Sequence, residues 1–455
     1  MSLTRVTGAG HVGTVTRRTL LGDSVGSVTN GVFGSVPSLM LLIYLTDTLG
    51  VPALVAGLAV FLPKLFDVFW NPVVGGWSDR TVSRWGPRRP WLLAGALSLP
   101  PLFLLTFAVP GGAGPYLAAA WVCVFFLLAG AVYGLFQVPY TVLPSELTDE
   151  PAERSRILMF RVIVLSLGIL VGGGLAPAIV DGVGDDRRGY LVMAAVVAAV
   201  LAAAMLVCTA LVPTRARAHD ADPHLGRSIS AALLVAYGRP PYWALYTAYL
   251  AQSLAIAVAL AAIPYFTKYV MGDESWTSLL FVAFVGTSVV VVPVWRLVER
   301  RLGKTGSLIT GSAVFAGSAL LVGVSGGQVV LAVIGFFGCG VGYASQQLFA
   351  YSLLADVLAR DDDATGRRTS GLLAGLWTAS ETGMFALGPA IVGGLLAVFG
   401  FVSSQAGRAG AGAVVQPGSA LLGIALVMGV LPGLMVAASV LRLRRFARLT
   451  ARPAR

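Results

Sequence analysis

Apolar residues fill twelve long stretches of this chain, and polar residues gather in the gaps between them. The stretches run at 24–47, 53–77, 91–110, 115–142, 157–180, 189–213, 242–269, 277–297, 306–325, 328–355, 370–399 and 418–441. Each supplies the roughly 20 mostly apolar residues that a helix needs to cross a bilayer. The pattern predicts an all-α membrane protein with twelve transmembrane helices.

The gaps carry the orientation. Arg80, Arg84, Arg88 and Arg89 follow the second stretch, and Arg154 and Arg156 the fourth. Arg215, Arg217 and Arg227 follow the sixth, Arg300, Arg301 and Lys304 the eighth, and Arg360, Arg367 and Arg368 the tenth. The tail adds Arg442, Arg444, Arg445, Arg448, Arg452 and Arg455. The intervening gaps are almost free of basic residues; Lys268, and Arg187 and Arg188 beside Asp185 and Asp186, are the exceptions. By the positive-inside rule both termini face the cytoplasm. The Ala/Gly/Arg-rich composition points to the inner membrane of a bacterium. The first 19 residues hold Arg5, Arg17 and Arg18 and no short apolar core with a cleavage site, so no cleavable signal peptide is expected.

The longest polar connection splits the chain into an N-terminal six-helix bundle at 1–213, a cytoplasmic central loop at 214–240, and a C-terminal six-helix bundle with a basic tail at 241–455. Residues 227–237 are expected to form a short interfacial helix. The halves echo each other. Trp77-Ser78-Asp79-Arg80 leading to Arg88-Arg89 is matched by Trp295-Arg296 leading to Arg300-Arg301 and Lys304. Leu143-Pro144-Ser145-Glu146 is matched by Leu353-Leu354-Ala355-Asp356. Two pseudo-symmetric six-helix bundles joined by a long loop are the sequence signature of the major facilitator fold.

Composition agrees. The chain is 56% hydrophobic and 12% charged, against about 25% charged in soluble proteins. Its net charge of +11 sits mostly in the gaps, so it reads as topology and not as a nucleic-acid surface. Cys123, Cys208 and Cys339 lie far apart inside apolar spans, without metal-ligand spacing. His11, His219 and His224 fall outside the spans, and Asp361-Asp362-Asp363 reads as a solvated loop. No phosphate-binding loop or nucleophile motif is present. Enzymatic chemistry, ATP-driven pumping, a cofactor and a structural metal are therefore not expected. The expected partners are the lipid bilayer and a small-molecule solute, and the expected state is a monomer.

Three ordered motifs carry a family resemblance. The first runs Asp67, Asn71-Pro72, Gly75, Ser78-Asp79-Arg80-Thr81, Ser83-Arg84, Gly86 and Arg88-Arg89-Pro90. The second runs Pro139-Tyr140, Leu143, Glu146-Leu147-Thr148, Glu153-Arg154 and Arg161. The third is Thr365-Gly366-Arg367-Arg368 with Gly371-Leu372. Together they resemble the glycoside-pentoside-hexuronide:cation symporters, the family of the melibiose permease, and share elements with the sucrose transporters. The resemblance implies cation-coupled symport of a glycoside or other small polar solute by alternating access. Export of a small organic compound or natural product on the same scaffold is the alternative. Asp67 matches the first carboxylate of the family's cation site, and Asn71 stands where a second often lies. The coupling ion is H⁺ or Na⁺. Arg161 matches a basic residue near the sugar; the sugar-gripping acids of spans one and four fall at Gly31, beside Asn30, and at Gln137. The lysine of span eleven falls near Glu381.

The residues also speak for themselves, because ionisable groups at membrane depth are costly and functional by default. Asp67 reads as a protonatable or cation-binding carboxylate, and Lys64, three residues earlier, is placed to pair with it along the helix. Asp67, Asn71 and Lys64 form the candidate coupling set. The candidate solute-binding set is Arg161, Gln137, Glu381, Asn30, Trp70, Tyr133 and Trp377. Arg161 suits hydroxyl and carboxylate oxygens, or snorkels to the interface. Glu381 fits a second protonation site, a contact for a basic group on the solute, or a counter-charge to Arg161 or Lys64. Gln137 and Asn30, with Thr29, Gln252, Gln346 and Gln347, either bind hydroxyls or bond helix to helix. Trp70, Tyr133 and Trp377 either stack on a sugar ring or pack. Asp79, Arg80, Arg84, Arg88 and Arg89 are expected to latch one conformational state rather than touch solute.

Overall fold

The computed structural model describes residues 15–148, 150–184, 186–213, 229–365, 370–403 and 415–450. Among them there is no strand. The first six helices are α1 (Arg17–Ile43), α2 (Ala53–Asp79), α3 (Arg89–Phe107), α4 (Pro115–Leu147), α5 (Pro151–Val183) and α6 (Arg187–Leu211). The short α7 (Ile229–Tyr237) follows at the expected interfacial segment, whose Arg227 and Ser228 lie outside the described residues. Then come α8 (Pro240–Tyr265), α9 (Trp276–Val290), α10 (Val292–Val324), α11 (Val329–Thr365), α12 (Ser370–Val398), α13 (Gly418–Ala425) and α14 (Leu431–Thr450). Wider π-type turns extend α1 over Tyr44–Thr48 and α8 over Phe266–Met271, and join α13 to α14 over Leu426–Val430.

Local chemistry sets many of the ends. Thr16 caps α1, its Oγ1 accepting from the Thr19 amide, and the Asp186 side chain accepts from the Arg188 and Gly189 amides at the start of α6. Proline opens α4, α5 and α8, where no amide is needed for the first turn.

Eleven described helices are long and apolar enough to span a bilayer, and Trp276–Val290 is shorter. The expected spans fall on these helices, with one correction. Span eight is α9 continued into the first turns of α10, and span nine is the part of α10 beyond Gly303. Gly303, at φ 68°, turns the chain inside what is otherwise one run of helix, so Arg300 and Arg301 are helical. Only glycine holds such a φ cheaply.

The helices pack first among near neighbours. α1 lies on α5 and α6, α2 on α4, and α3 on α4 and α6; α8 lies on α12 and α14, and α11 on α9 and α10. Between the two groups, α2 meets α12, α5 meets α9 and α1 meets α8. These crossings are tight because small residues let backbones approach. A β-carbon at Gly57 of α2 would stand 2.9 Å from the Pro389 carbonyl oxygen of α12.

Polar bonds add to the seal at the end of the molecule that bears the 49–52 and 399–403 connections. Thr46 Oγ1 and Tyr265 Oη are 2.7 Å apart, Tyr269 donates to Asp47 Oδ2 at 2.6 Å, and Lys268 Nζ stands 3.0 Å from Asp47 Oδ2. Lys268 also reaches Glu274 at 2.7 Å, and Ser403 donates to the Val51 carbonyl at 2.7 Å. Asp47 is buried, so an unpaired charge there would be costly. Lys268→Met is expected to open this end more often, raising the open population by about tenfold for each 1.4 kcal/mol lost. Distance distributions between spin labels at Leu54 and Val402 measure it; an unchanged distribution would show that the pair does not hold the end shut.

Two ion pairs at the opposite end, among the described residues, each lie within one group. Arg88 binds Glu146, Nε at 2.9 Å and Nη2 at 2.8 Å, and also donates to Ser78. Lys304 binds Asp356 at 2.6 Å. The two pairs occupy the echoed sequence positions.

Candidate functional site

α2 presents the coupling residues on one face. Asp67 lies between Pro63 and Pro72, and Pro72 has no N–H to give the Val68 carbonyl one turn earlier. The Asp67 carboxylate faces α4 at Gly130, where a β-carbon would stand 2.8 Å from Oδ1 and 3.2 Å from Oδ2. Asn71, one turn on, faces Gly134 in the same way, its Oδ1 2.8 Å from the β-carbon position. Asp67 Oδ1 is buried without a hydrogen-bond partner.

Lys64 does not close on Asp67 as the helix spacing predicts. Its Nζ donates to Ser38 Oγ of α1 at 2.8 Å, and Ser38 donates in turn to the Gly34 carbonyl at 2.7 Å. The lysine ties α2 to α1 and acts on Asp67 through its charge without hydrogen-bonding to it. A carboxylate held this way in an apolar interior is stabilised by taking a proton or a metal cation.

Neighbouring aromatics are engaged in packing. Trp70 donates from Nε1 to the Ala131 carbonyl of α4 at 2.9 Å and stacks on Phe66. Tyr133 of α4 donates to Asn30 Oδ1 of α1 at 3.2 Å, and its ring stacks on Phe33 at 4.5 Å. Gln137 Oε1 and Thr29 Oγ1 are buried without partners, as are both amide atoms of Gln346, whereas Gln252 bridges Ser312 and Ser439 at 3.0 Å each. Gln347 is exposed.

Glu381 of α12 gathers a second group. Its Oε1 accepts from Tyr249 of α8 and its Oε2 from Tyr351 of α11 at 2.6 Å. Trp377, one turn before Glu381, stacks on Tyr249 at 4.2 Å. Asp67 follows Gly57 by ten residues and Glu381 precedes Pro389 by eight, so both lie about 12–15 Å along their helices from the Gly57–Pro389 crossing, on the side away from the sealed end, at 1.5 Å per residue.

Arg161 stands apart from both groups. Its Nε and Nη2 grip Asp23 of α1 at 2.6 and 2.5 Å, Nη2 also donates to the Tyr140 carbonyl at 2.8 Å, and the guanidinium lies 3.7 Å from the centre of the Tyr140 ring. Tyr140 Oη donates to the Asp23 carbonyl and lies 2.7 Å from Ser27 Oγ. Asp23 is fully buried and one residue outside the apolar stretch drawn from the sequence. A carboxylate so near the start of α1 looks like an end-of-helix charge, which is why sequence reading passed it over. Gly31, where the resemblance puts an acid, packs against the α5 backbone, a β-carbon there standing 2.6 Å from the Leu165 carbonyl oxygen and the Ile169 nitrogen. No acidic side chain fits at that point.

Of the expected latch, Arg88 is buried in its pair with Glu146, while Arg80 and Arg84 are exposed, Arg84 lying 5.4 Å from the centre of the Trp85 ring. Arg89 is half-buried, and the Asp79 side chain lies outside the described residues. So do the third family motif from Gly366 to Arg368, the Asp361-Asp362-Asp363 side chains and all three histidines.

Residues 22–449 match the MFS/sugar transport protein family. The chain belongs to that family. Its membership makes it a transporter and not an enzyme, and a multi-pass membrane protein. Among its relatives, the glucuronide carrier protein homolog of Escherichia coli K12 is 25% identical over 432 residues, spanning 93% of this chain and 91% of that protein. The sodium-dependent lysophosphatidylcholine symporter 1 of Mus musculus is 23% identical over 366 residues, spanning 74% of this chain and 68% of that protein. The fold matches a crystal structure of a bacterial homolog of the human lysosomal transporter Spinster, inward-facing and unoccupied, with a TM-score of 0.74 at 13% identity over 97% of this chain and 100% of that one. The fold of this MFS protein is thus the major facilitator fold, as expected from its spans.

Within the MFS scaffold, Gly130 is the residue whose smallness makes room for Asp67. Gly130→Ala is expected to cut ion-driven uptake at least tenfold at equal expression, because the new methyl overlaps the carboxylate. Normal uptake by that variant would show that the carboxylate needs no space there.

Proposed function

We propose that this protein is a symporter that couples H⁺ or Na⁺ to uptake of a glycoside or other small polar solute by alternating access. The observation that carries the reading is half-buried Asp67 in a spanning helix, with its Oδ1 buried and unpartnered. Loading Asp67 with a cation removes a charge that is costly to bury, and so favours the states in which the site is closed off from water. Asn71, one turn on from Asp67, supplies a further oxygen for Na⁺; a proton needs only the carboxylate. Relatives named for glucuronide carriage and for sodium-dependent symport support this reading.

Residues 1–213 and 241–455 are the two bodies that rock, and 214–240 is the tether. The arginine-bearing end is cytoplasmic by the positive-inside rule, with both termini on that side of a bacterial inner membrane. The sealed end is then the outer one, and the cycle holds it shut while solute leaves toward the cytoplasm. Arg88–Glu146 and Lys304–Asp356 brace each body at its inner end and leave the inner mouth free to open. Asp23–Arg161 fixes α1 to α5, so Arg161 is a structural residue and not a solute ligand.

Purified protein in liposomes tests the reading. An imposed Na⁺ gradient at fixed pH, or a proton gradient at fixed Na⁺, drives accumulation of a radiolabelled glycoside. Solute movement indifferent to both gradients would refute coupling, and outward movement against a gradient would favour export.

A further inference from the structure

The group around Glu381 is built differently from the coupling site. Its carboxylate accepts one hydrogen bond on each oxygen, from Tyr249 and Tyr351. An ionised carboxylate has about four acceptor positions, so about half its capacity is unfilled. Among the described residues no lysine, arginine or histidine forms an ion pair with Glu381. The two cations that sequence reading offered as its counter-charge are engaged elsewhere, Lys64 with Ser38 and Arg161 with Asp23.

What surrounds Glu381 is aromatic. Trp377 stacks on Tyr249, and the Tyr351 ring stands 5.7 Å from Tyr249 and 6.2 Å from Trp377. The Trp377 side chain is fully buried and its Nε1 has no acceptor. Tyr351 is 41% exposed, so the group is open on that side. A divalent metal would require several hard oxygens, and only one carboxylate is present. A hydroxyl would be served as well by an amide. Aromatic walls beside a single uncompensated carboxylate are the chemistry that holds an organic cation.

We propose that this aromatic-flanked acid selects a solute bearing a protonated amine, such as an amino sugar, with the ammonium on Glu381 beside the exposed Tyr351 ring. This rests on the symport reading above and names the class of solute. The acid on α12 recognises the charge, while Asp67 on α2 carries the coupling ion, so the two carboxylates are not interchangeable.

The test is binding to the purified full chain, using matched sugars. The panel is glucosamine, glucose and N-acetylglucosamine, the corresponding β-linked disaccharides, and choline as a cation that is not a sugar. The amine-bearing sugars are expected to bind at least about tenfold more tightly than their neutral and acetylated partners. Glu381→Gln brings that ratio close to one, and Glu381→Asp, which keeps the charge, retains part of it. A wild-type ratio near one, or a ratio that Glu381→Gln leaves unchanged, overturns the inference while glycoside binding still upholds the symport reading. Choline binding that depends on Glu381, with no sugar bound, upholds the cation site and sinks the glycoside. Binding of nothing in the panel counts against both.

Discussion

Asp67→Asn is expected to abolish accumulation of solute against its gradient while leaving exchange of solute across the membrane. Asparagine nearly preserves the shape of aspartate, so the contact with Gly130 and the packing of α2 on α4 survive. What is lost is the charge that a cation would neutralise. With a permanently neutral side chain the closed states are reached with or without the ion, and the driving gradient has nothing to act on. Ion-driven accumulation ratios therefore fall to about one, while counterflow, which needs only binding and rocking, continues. Full accumulation by the variant would remove Asp67 from the coupling mechanism. Loss of counterflow as well would make it a solute ligand or a structural residue.

The second large effect concerns stability. Arg161→Met leaves Asp23 buried without its partner, a change that costs about 3–5 kcal/mol. The expected result is a sharp loss of folded protein and a lower thermal midpoint in detergent. Changing Asp23→Leu in the same chain removes the stranded charge and is expected to recover most of the loss, since apolar replacements of buried ion pairs are often neutral. The double variant also separates two roles for Arg161. If it is stable and still transports, the arginine is structural; if it is stable and binds no solute, the arginine touches solute after all. A single variant as stable as the parent would show that the pair contributes nothing to the fold.

The scaffold was legible because hydrophobic length is a strong signal. Twelve apolar stretches, alternating basic gaps and an echo between halves led to the arrangement of helices that the structure describes. Arg88–Glu146 and Lys304–Asp356 fall at echoed positions, a pairing that the echo itself did not show; of these residues only Arg88 is expected in a latch. The site was less legible, because side-chain partners depend on contacts between helices far apart in sequence. Spacing alone pairs Lys64 with Asp67, yet Ser38 on another helix takes the lysine. Residue type offers Trp70 to a sugar ring or to packing, and only the structure shows its indole N–H on Ala131 and its ring on Phe66. Asp23 and Asp47 were passed over because each lies near a span end, where a carboxylate reads as solvated. Tyr249 and Tyr351 were passed over because tyrosines are common in such helices and become informative only when two converge on one acid.

The seal at Asp47 and Lys268 has a kinetic consequence. The Asp47–Lys268 pair joins charges that belong to different bodies, whereas Arg88–Glu146 and Lys304–Asp356 each lie within one. On the proposed alternating-access cycle, opening the sealed end means separating a buried acid from its base. Turnover at saturating solute would then be set by that return stroke, and solute-for-solute exchange, which skips it, would run faster than net uptake.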